Sequence, residues 1–273
     1  MPLSTDLDEQ YAAQGFAVVP EPIVDRDLVA RAAVAVDRVV AGEYVTGNAP
    51  SQRFWNPGDD PSLFVKIDQV HRCDPALLEV ASHTGIGAVA ATATGAMRVQ
   101  VWATQLVVKP SGPGDGTALG WHQDDLYWRD FWDGEVFTCW VALADVGPDA
   151  GPVTYVAGSQ TWPVVDEADF RRHDLDTLRS QLDLPADATW TEHAAVLPRG
   201  GFVLHHKRTM HASPANTSGH PRIGYVLHLC TDRAEPRPGA AEFFQFDLDD
   251  PQSCPVLFDG DPRYHRTGPK AAT

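Results

Sequence analysis

The chain has 273 residues, a formal charge of −16 and a sequence pI near 4.9. That balance excludes the basic footprint that supplies most nucleic-acid affinity, and it disfavours anionic membranes. With 43% hydrophobic and 21% charged residues the composition is that of an ordinary globular protein, long enough for one large core or two modest ones.

The stretch Met1 to Glu9 lacks the basic start and apolar core of a signal peptide, and no segment approaches the roughly 20 apolar residues needed to span a membrane. Residues 5–14 predict a short helix, and Gly15 to Pro20 a strand ended by proline. Asp25 then caps a helix over Leu28 to Val40, apolar on a 3.6-residue period, with Gly42 beyond its end. Residues 42–62, rich in Gly, Asn, Asp and Pro, form a long loop carrying Arg53, Phe54 and Trp55. Loops of that length often serve function, so this one is a candidate wall or lid. A strand near Phe64 to Val70 precedes a helix opened by Asp74-Pro75, and an Ala/Gly-rich helix covers Thr84 to Gly95.

From Arg98 the character changes. Strands are expected over Val99–Val108, Val136–Val146, Val153–Val156, Phe202–His205 and Arg222–Cys230, separated by Gly, Pro, Asp and Asn turns. One helical insert, about 167–182, interrupts them. Regular βα alternation is absent, so a doubly wound sheet or α/β barrel is excluded. The fold expected is mainly β, a double-stranded β-helix (jelly roll, cupin-like) with a helical buttress. It would form a single domain over 1–273, with a helical part at 1–97, the jelly-roll core at 98–232 and an irregular tail at 233–273. Cys73, Cys139, Cys230 and Cys254 make no CxxC, and read as small buried hydrophobes in a reducing, cytoplasmic setting.

The chemistry centres on Trp121-His122-Gln123-Asp124-Asp125-Leu126-Tyr127-Trp128. In an extended strand, residues i and i+2 share a face, so His122 and Asp124 can converge on one ion. A third ligand is available in Met210-His211-Ala212-Ser213-Pro214-Ala215-Asn216, just past a strand ending near His206. Two histidines and a carboxylate on a β scaffold are the donor set of non-heme Fe(II), and zinc accepts the same ligands. His205 and His206 are adjacent and point opposite ways, so at most one faces the pocket, and neither is taken as a ligand. Arg222 opens a strand, where its guanidinium can grip a carboxylate through two hydrogen bonds. Gly224, on the same face, would leave room for that acid.

These motifs, together with Asp149-Ala150-Gly151-Pro152-Val153-Thr154-Tyr155-Val156-Ala157-Gly158-Ser159, resemble the phytanoyl-CoA dioxygenase-like (PhyH) family of Fe(II)/2-oxoglutarate oxygenases, over about Gly15 to Leu229. The resemblance implies iron on His122, Asp124 and His211, O2 as oxidant, and 2-oxoglutarate chelating the metal while its C5 carboxylate meets Arg222. Gln105 and Ser213 match positions that hydrogen-bond the cosubstrate, and Thr138 is added from its strand's place beside the site. Oxidative decarboxylation to succinate and CO2 would then drive hydroxylation, or another oxidation, of a small-molecule metabolite or natural product. An Ala or Gly in place of Asp124 would open a halide site, so halogenation is disfavoured. Family members commonly have Gly-Ser-His where this chain reads Gly158-Ser159-Gln160, and Gly-Asp where it reads Gly200-Gly201. Both departures are expected to alter local hydrogen bonding and leave the metal site intact.

Substrate selection is assigned to Tyr127, Trp128, Phe131 and Trp132, with Asp125 and Arg129 as polar contacts and Trp55 closing the pocket. Two alternatives stay open: a cupin-like metalloenzyme that does not use 2-oxoglutarate, and a non-catalytic jelly-roll binding protein. Nothing in the sequence marks an oligomeric state.

Overall fold

A computed structural model describes residues 7–112, 114 and 116–260. The chain opens with α1 (Leu7–Gln14), β1 (Phe16–Val19) and α2 (Arg26–Val40). Asp25 caps α2 as expected, its carboxylate accepting the Leu28 N–H at 2.9 Å. After β2 (Gln52–Arg53) and β3 (Val65–Asp68) come α3 (Pro75–Ala81) and α4 (Thr84–Thr94). Asp74 caps α3 with Pro75 in its first turn, and Gly95 ends α4 in the left-handed conformation that glycine tolerates best.

The stretch Pro75–Thr94 has 20 residues and a mean hydropathy of 1.2, as long and apolar as a membrane span requires. The expectation that no segment approaches that length and apolarity is thereby corrected. Here α3 and α4 are separated at Ser82 and His83, and 61% of the stretch is buried within the protein.

The remaining elements are β4 (Arg98–Lys109), β5 (Leu119–His122), α5 (Asp125–Trp128), β6 (Trp132–Ala142), β7 (Thr154–Val156), α6 (Leu175–Gln181), β8 (Glu192–Ala194), β9 (Phe202–His206), β10 (His211–Ser213), β11 (Arg222–Pro236), α7 (Ala240–Phe244) and β12 (Val256–Asp259). Two antiparallel sheets result. The larger has the order β1-β9-β6-β11-β4-β3-β2, with β12 also on β4; the smaller is β5-β10-β7-β8. The mainly β double-stranded β-helix with a helical buttress is therefore what the chain forms.

Period-two alternation divides the large sheet's two faces between two tasks. Phe137, Cys139 and Val141 of β6, Tyr225, Leu227 and Leu229 of β11, and Phe202 and Leu204 of β9 point to the helical side. There they share one core with Leu28, Val29, Leu77, Val80, Ile86 and Val89. The residues between them, Thr138 and Trp140 of β6, Val226 and His228 of β11, and His205 of β9, face the small sheet and line a pocket. One face builds the core and the other builds the site.

Two expectations need correction. Only Leu175–Gln181 of the insert is helical, because Asp174 caps its first turn by accepting the Thr177 N–H at 3.0 Å. The tail is not irregular as far as it is described: β11 runs on to Pro236, α7 follows, and β12 pairs with β4 through Val256↔Gln100 and Asp259↔Arg98. That pairing spans more than 150 residues, so no local pattern announces it.

Gly87 of α4 lies so close to β12 that an added Cβ would strike the Leu257 carbonyl. Helix propensity alone favours Ala over Gly by about 1 kcal/mol, whereas overpacking against fixed backbone costs about 1–3 kcal/mol. Gly87→Ala is expected to lower stability in urea denaturation; a stabilised variant would show that α4 and β12 are not packed as described.

Candidate metal centre and its cavity

The small sheet presents two histidines side by side, since the register sets His211 of β10 directly opposite His122 of β5. Asp124 is not in the strand. Its φ of −58° and ψ of −33° place it at the start of α5, so the helical turn, and not strand alternation, brings the carboxylate back toward His122. Asp124 Oδ1 stands 4.0 Å from His122 Nε2 and 3.8 Å from His211 Nε2. Each residue offers one donor atom, and all three lie within 4.8 Å of one another.

The other ring nitrogens fix which atoms face inward. His122 Nδ1 lies 2.8 Å from the Gly120 carbonyl, and His211 Nδ1 lies 2.9 Å from the Thr209 carbonyl. A carbonyl only accepts, so each Nδ1 carries the proton and each Nε2 keeps its lone pair for an ion. Burial, reinforced by the neighbouring His211, pulls the His122 pKa to about 3. Burial and His205 pull His211 to about 4. Both rings are neutral at physiological pH, as metal ligation requires. Burial opposes the charge on Asp124, but the hydrogen bond from His205 and the fields of His211, His205 and His228 outweigh it, holding the carboxyl below its ordinary range.

The second carboxylate oxygen belongs to the large sheet. Thr138 Oγ1 donates to Asp124 Oδ2 at 2.8 Å, and His205 Nε2 lies 3.1 Å from the same atom. Thr138 is the cross-strand partner of His205 on β9 and of His228 on β11, so the three form one row across the sheet. Thr138, expected to hold the cosubstrate, instead touches a metal-site carboxylate. His205, not taken as a ligand, is the other residue that orients it, and Tyr155 Oη steadies its Nδ1 at 3.1 Å.

At the far end of the same pocket, of about 100 Å3, lies the buried Arg222, with buried Lys109 behind it. Arg222 Nη1 donates to Gly151 O at 2.7 Å and to Ser213 Oγ at 2.8 Å, while Nε has no partner. Lys109, opposite Arg222 in the register, bonds through Nζ to Ser213 Oγ and to the Ser213 and Pro214 carbonyls. Among the described residues no carboxylate pairs with either. Burial lowers the Arg222 pKa to about 10, and burial with Arg222 beside it depresses Lys109. A buried guanidinium that faces a pocket without a counter-ion makes a site for an anion.

Gln105 lines this pocket, as expected. Gly224 does something else: an added Cβ would meet the Trp140 indole, so the glycine makes room for that ring and not for an acid. Trp140 in turn covers the Arg222 guanidinium, 5.1 Å from its centroid.

A wider cavity of about 570 Å3 opens from the metal triad. Tyr127 and Trp128 line it, but the other five expected contacts do not. Asp125 is turned to Lys207 Nζ at 3.1 Å, Arg129 pairs with Asp166 at 3.0 Å, and Trp55 packs on the helical core with its Nε1 donating to Asp60 O. Successive residues of a helix face different ways, so α5 sends only some of its side chains inward. Phe131 stacks on Phe243 and Trp132 on Phe246, behind the wall. The sequence reading missed Phe64, Trp102, Phe170, Phe244 and His228, and preferred Trp55 to its neighbour Phe54, which does line the cavity. The one available signal was the aromatic pair Phe54-Trp55 in a long loop.

The two family departures lie away from the metal. Gln160 Nε2 donates to the Ala12 and Ala13 carbonyls at the end of α1. A Cβ on Gly201 would come within 3.0 Å of the Val19 carbonyl, so glycine lets β1 pack closely there.

Comparison with known proteins agrees with this geometry. Two curated relatives carry the same description, "Phytanoyl-CoA dioxygenase domain-containing protein 1". The mouse protein is 28% identical over 163 residues, covering 59% of this chain and 54% of its own. The Rattus norvegicus protein is 31% identical over 120 residues, covering 43% and 40%. The chain thus spans about half the length of the curated relatives it matches. Among solved structures, the non-heme alpha ketoglutarate dependent carbocyclase SnoK from nogalamycin biosynthesis superposes with a TM-score of 0.68 at 23% identity, over 93% of this chain and 96% of that one. The epimerase SnoN, solved with Fe3+, alpha ketoglutarate and nogalamycin RO, gives 0.66 at 21%, over 87% of each. EctD from S. alaskensis gives 0.66 at 22%, over 84% and 78%. The sequence pattern of the phytanoyl-CoA dioxygenase (PhyH) family matches residues 11–224, most of the chain, and the chain belongs to that family.

Proposed function

We propose that this protein is a non-heme Fe(II)/2-oxoglutarate-dependent oxygenase that hydroxylates a small molecule. One observation carries the reading: a single pocket has a His/Asp/His donor set at one end and, at the other, the buried Arg222 guanidinium without a carboxylate partner, with Lys109 behind it on Ser213. A cupin-like metalloenzyme without the cosubstrate explains the first half and leaves the second unexplained. A binding protein without catalysis needs neither half.

His122, Asp124 and His211 would hold the iron through Nε2, Oδ1 and Nε2. Fe(II) bound with 2-oxoglutarate would supply the oxidising power, using O2 and releasing succinate and CO2. The chain's own part is positional. Arg222 would receive the C5 carboxylate, with Lys109 adding charge and Ser213 orienting both cations through its Oγ. Trp140 shields that ion pair from water. Gln105 reaches both the inner pocket and the outer cavity and so stands where cosubstrate and substrate meet.

Asp124→Ala is expected to abolish succinate formation and to weaken Mn(II) binding, read by electron paramagnetic resonance; turnover retained in this variant would sink the triad. Arg222→Ala should weaken 2-oxoglutarate binding about 100-fold, the scale of a lost charged pair, and Arg222→Lys should recover only part of it. An unchanged cosubstrate titration would remove Arg222 from this role. Thr138→Val, which deletes one of two bonds to Asp124 Oδ2, is expected to lower metal affinity about tenfold or more while leaving 2-oxoglutarate affinity of the metal-saturated protein intact. Loss confined to the cosubstrate would return Thr138 to the place the sequence gave it.

A further inference from the structure

The larger cavity contrasts with the cosubstrate pocket in charge. Lys66 is the one Lys or Arg among the described residues that line it. Its Nζ is already committed, 3.2 Å from Asp68 Oδ1 and 4.1 Å from the centre of the Phe54 ring. Asp124 is reserved for the metal. What remains is uncharged: polar Ser51, Gln52, Gln69, Thr104, Gln105 and Gln245, and a wall of aromatic rings drawn from distant parts of the chain, among them Phe64, Trp102, Trp128, Phe170 and Phe244. Phe54, Tyr127 and Phe243, also on that wall, are among the exposed large hydrophobic residues, so the apolar surface continues to the rim. A coenzyme A thioester would bring several phosphates to a surface with no uncommitted cation.

His228 adds one directional group. The Thr138 hydroxyl has a single proton, and it is given to Asp124 Oδ2 at 2.8 Å. His228 Nδ1 lies 3.2 Å from the same hydroxyl oxygen, so it must be the donor there, and Nδ1 carries the ring's proton. Nε2 is then a bare acceptor. It has no partner among the described residues, and it is not among the buried unpaired atoms, so it faces open space where the small pocket and the larger cavity, both lined by His228, adjoin. The ring cannot turn away. It stacks on Trp102 at 5.4 Å and meets the edge of Trp128 at 4.7 Å. The ladder between β11 and β4 slips at His228/Leu229, leaving Trp102 as the extra residue of a bulge, a device that commonly re-aims side chains beside active sites.

We infer that the cavity takes an uncharged, largely apolar ring molecule bearing a hydroxyl group, and that this hydroxyl donates to His228 Nε2. The inference deepens the proposed function, on which it rests for the meaning of the nearby triad. His228 is a positioning residue: it ties the ligand, through Thr138, to the carboxylate that would hold the metal. The cavity is thereby matched to a free hydroxylated metabolite and not to an acyl thioester.

The test compares binding by isothermal titration calorimetry of 2-naphthol and estradiol with their methyl ethers, and of 2-naphthoyl-coenzyme A, to the Mn(II)-loaded full-length protein. A neutral hydrogen bond made in place of water is worth about a three- to tenfold preference. Both hydroxylated probes are expected to bind that much more tightly than their ethers, and the thioester more weakly than 2-naphthol. His228→Phe should erase the preference while keeping affinity for the ethers, and His228→Gln, which restores an acceptor, should recover part of it. Equal affinities for alcohol and ether in the wild-type protein, a preference that survives His228→Phe, no binding of either alcohol, or tightest binding of the thioester would each overturn the inference. A parallel 2-oxoglutarate titration keeps the two readings apart. Its failure would count against the oxygenase assignment, and the alcohol-to-ether ratio would still judge His228.

Discussion

The arrangement depends on how one carboxylate is divided. Asp124 turns Oδ1 to the two histidines of the small sheet and Oδ2 to Thr138 and His205 of the large one. Hydrogen bonds to a charged group contribute about 1.5–3 kcal/mol each, and a buried carboxylate left without them is costly. The two sheets are therefore joined at the site by an interaction that is also the site's geometry. Moving either sheet would break the orientation before it opened the core.

The same logic of opposed faces explains why core and chemistry do not compete. Along β6 and β11 one alternate set is apolar toward the helices and the other, Thr138, Trp140, Val226 and His228, faces the pocket, so one strand serves both without a break in pattern. At the edge of the site the separation is by charge. The inner pocket ends on the Arg222 guanidinium, which no carboxylate pairs among the described residues, while Lys66, the one ammonium among the described residues that line the outer cavity, is paired with Asp68. Under the proposed function, ligands of opposite character would be sorted before any specific contact is made.

Much of this was legible in the sequence where residues act within one short motif. His122, Asp124, His211 and Arg222 were all readable because spacing and residue type carry ligand chemistry, although Asp124 reaches its place through a helical turn and not along a strand. Gly224 was misread because its purpose is set by Trp140, which sits on a different strand. Trp55, Asp125 and Arg129 were plausible by proximity to the motif, and rotation about α5 or packing on the helical layer removed them from the cavity. His205, His228 and the aromatic wall were not legible. Their roles exist only after β9, β6 and β11 are in register and after residues near 54, 102, 170 and 244 have been gathered around one space.

The course of β11 and α7 has an evolutionary consequence. The family pattern ends at residue 224, and the metal donors and Arg222 all lie within it. His228, Phe243 and Phe244 lie beyond it, on β11 and α7. Part of the proposed recognition surface therefore lies beyond the family pattern, while Phe54, Phe64, Trp102, Trp128 and Phe170 lie within it. Under that proposal, substitution of Phe243 or Phe244 would retune which molecule is accepted without touching a metal donor, a route by which one scaffold could acquire new substrates while its oxidising chemistry is carried forward.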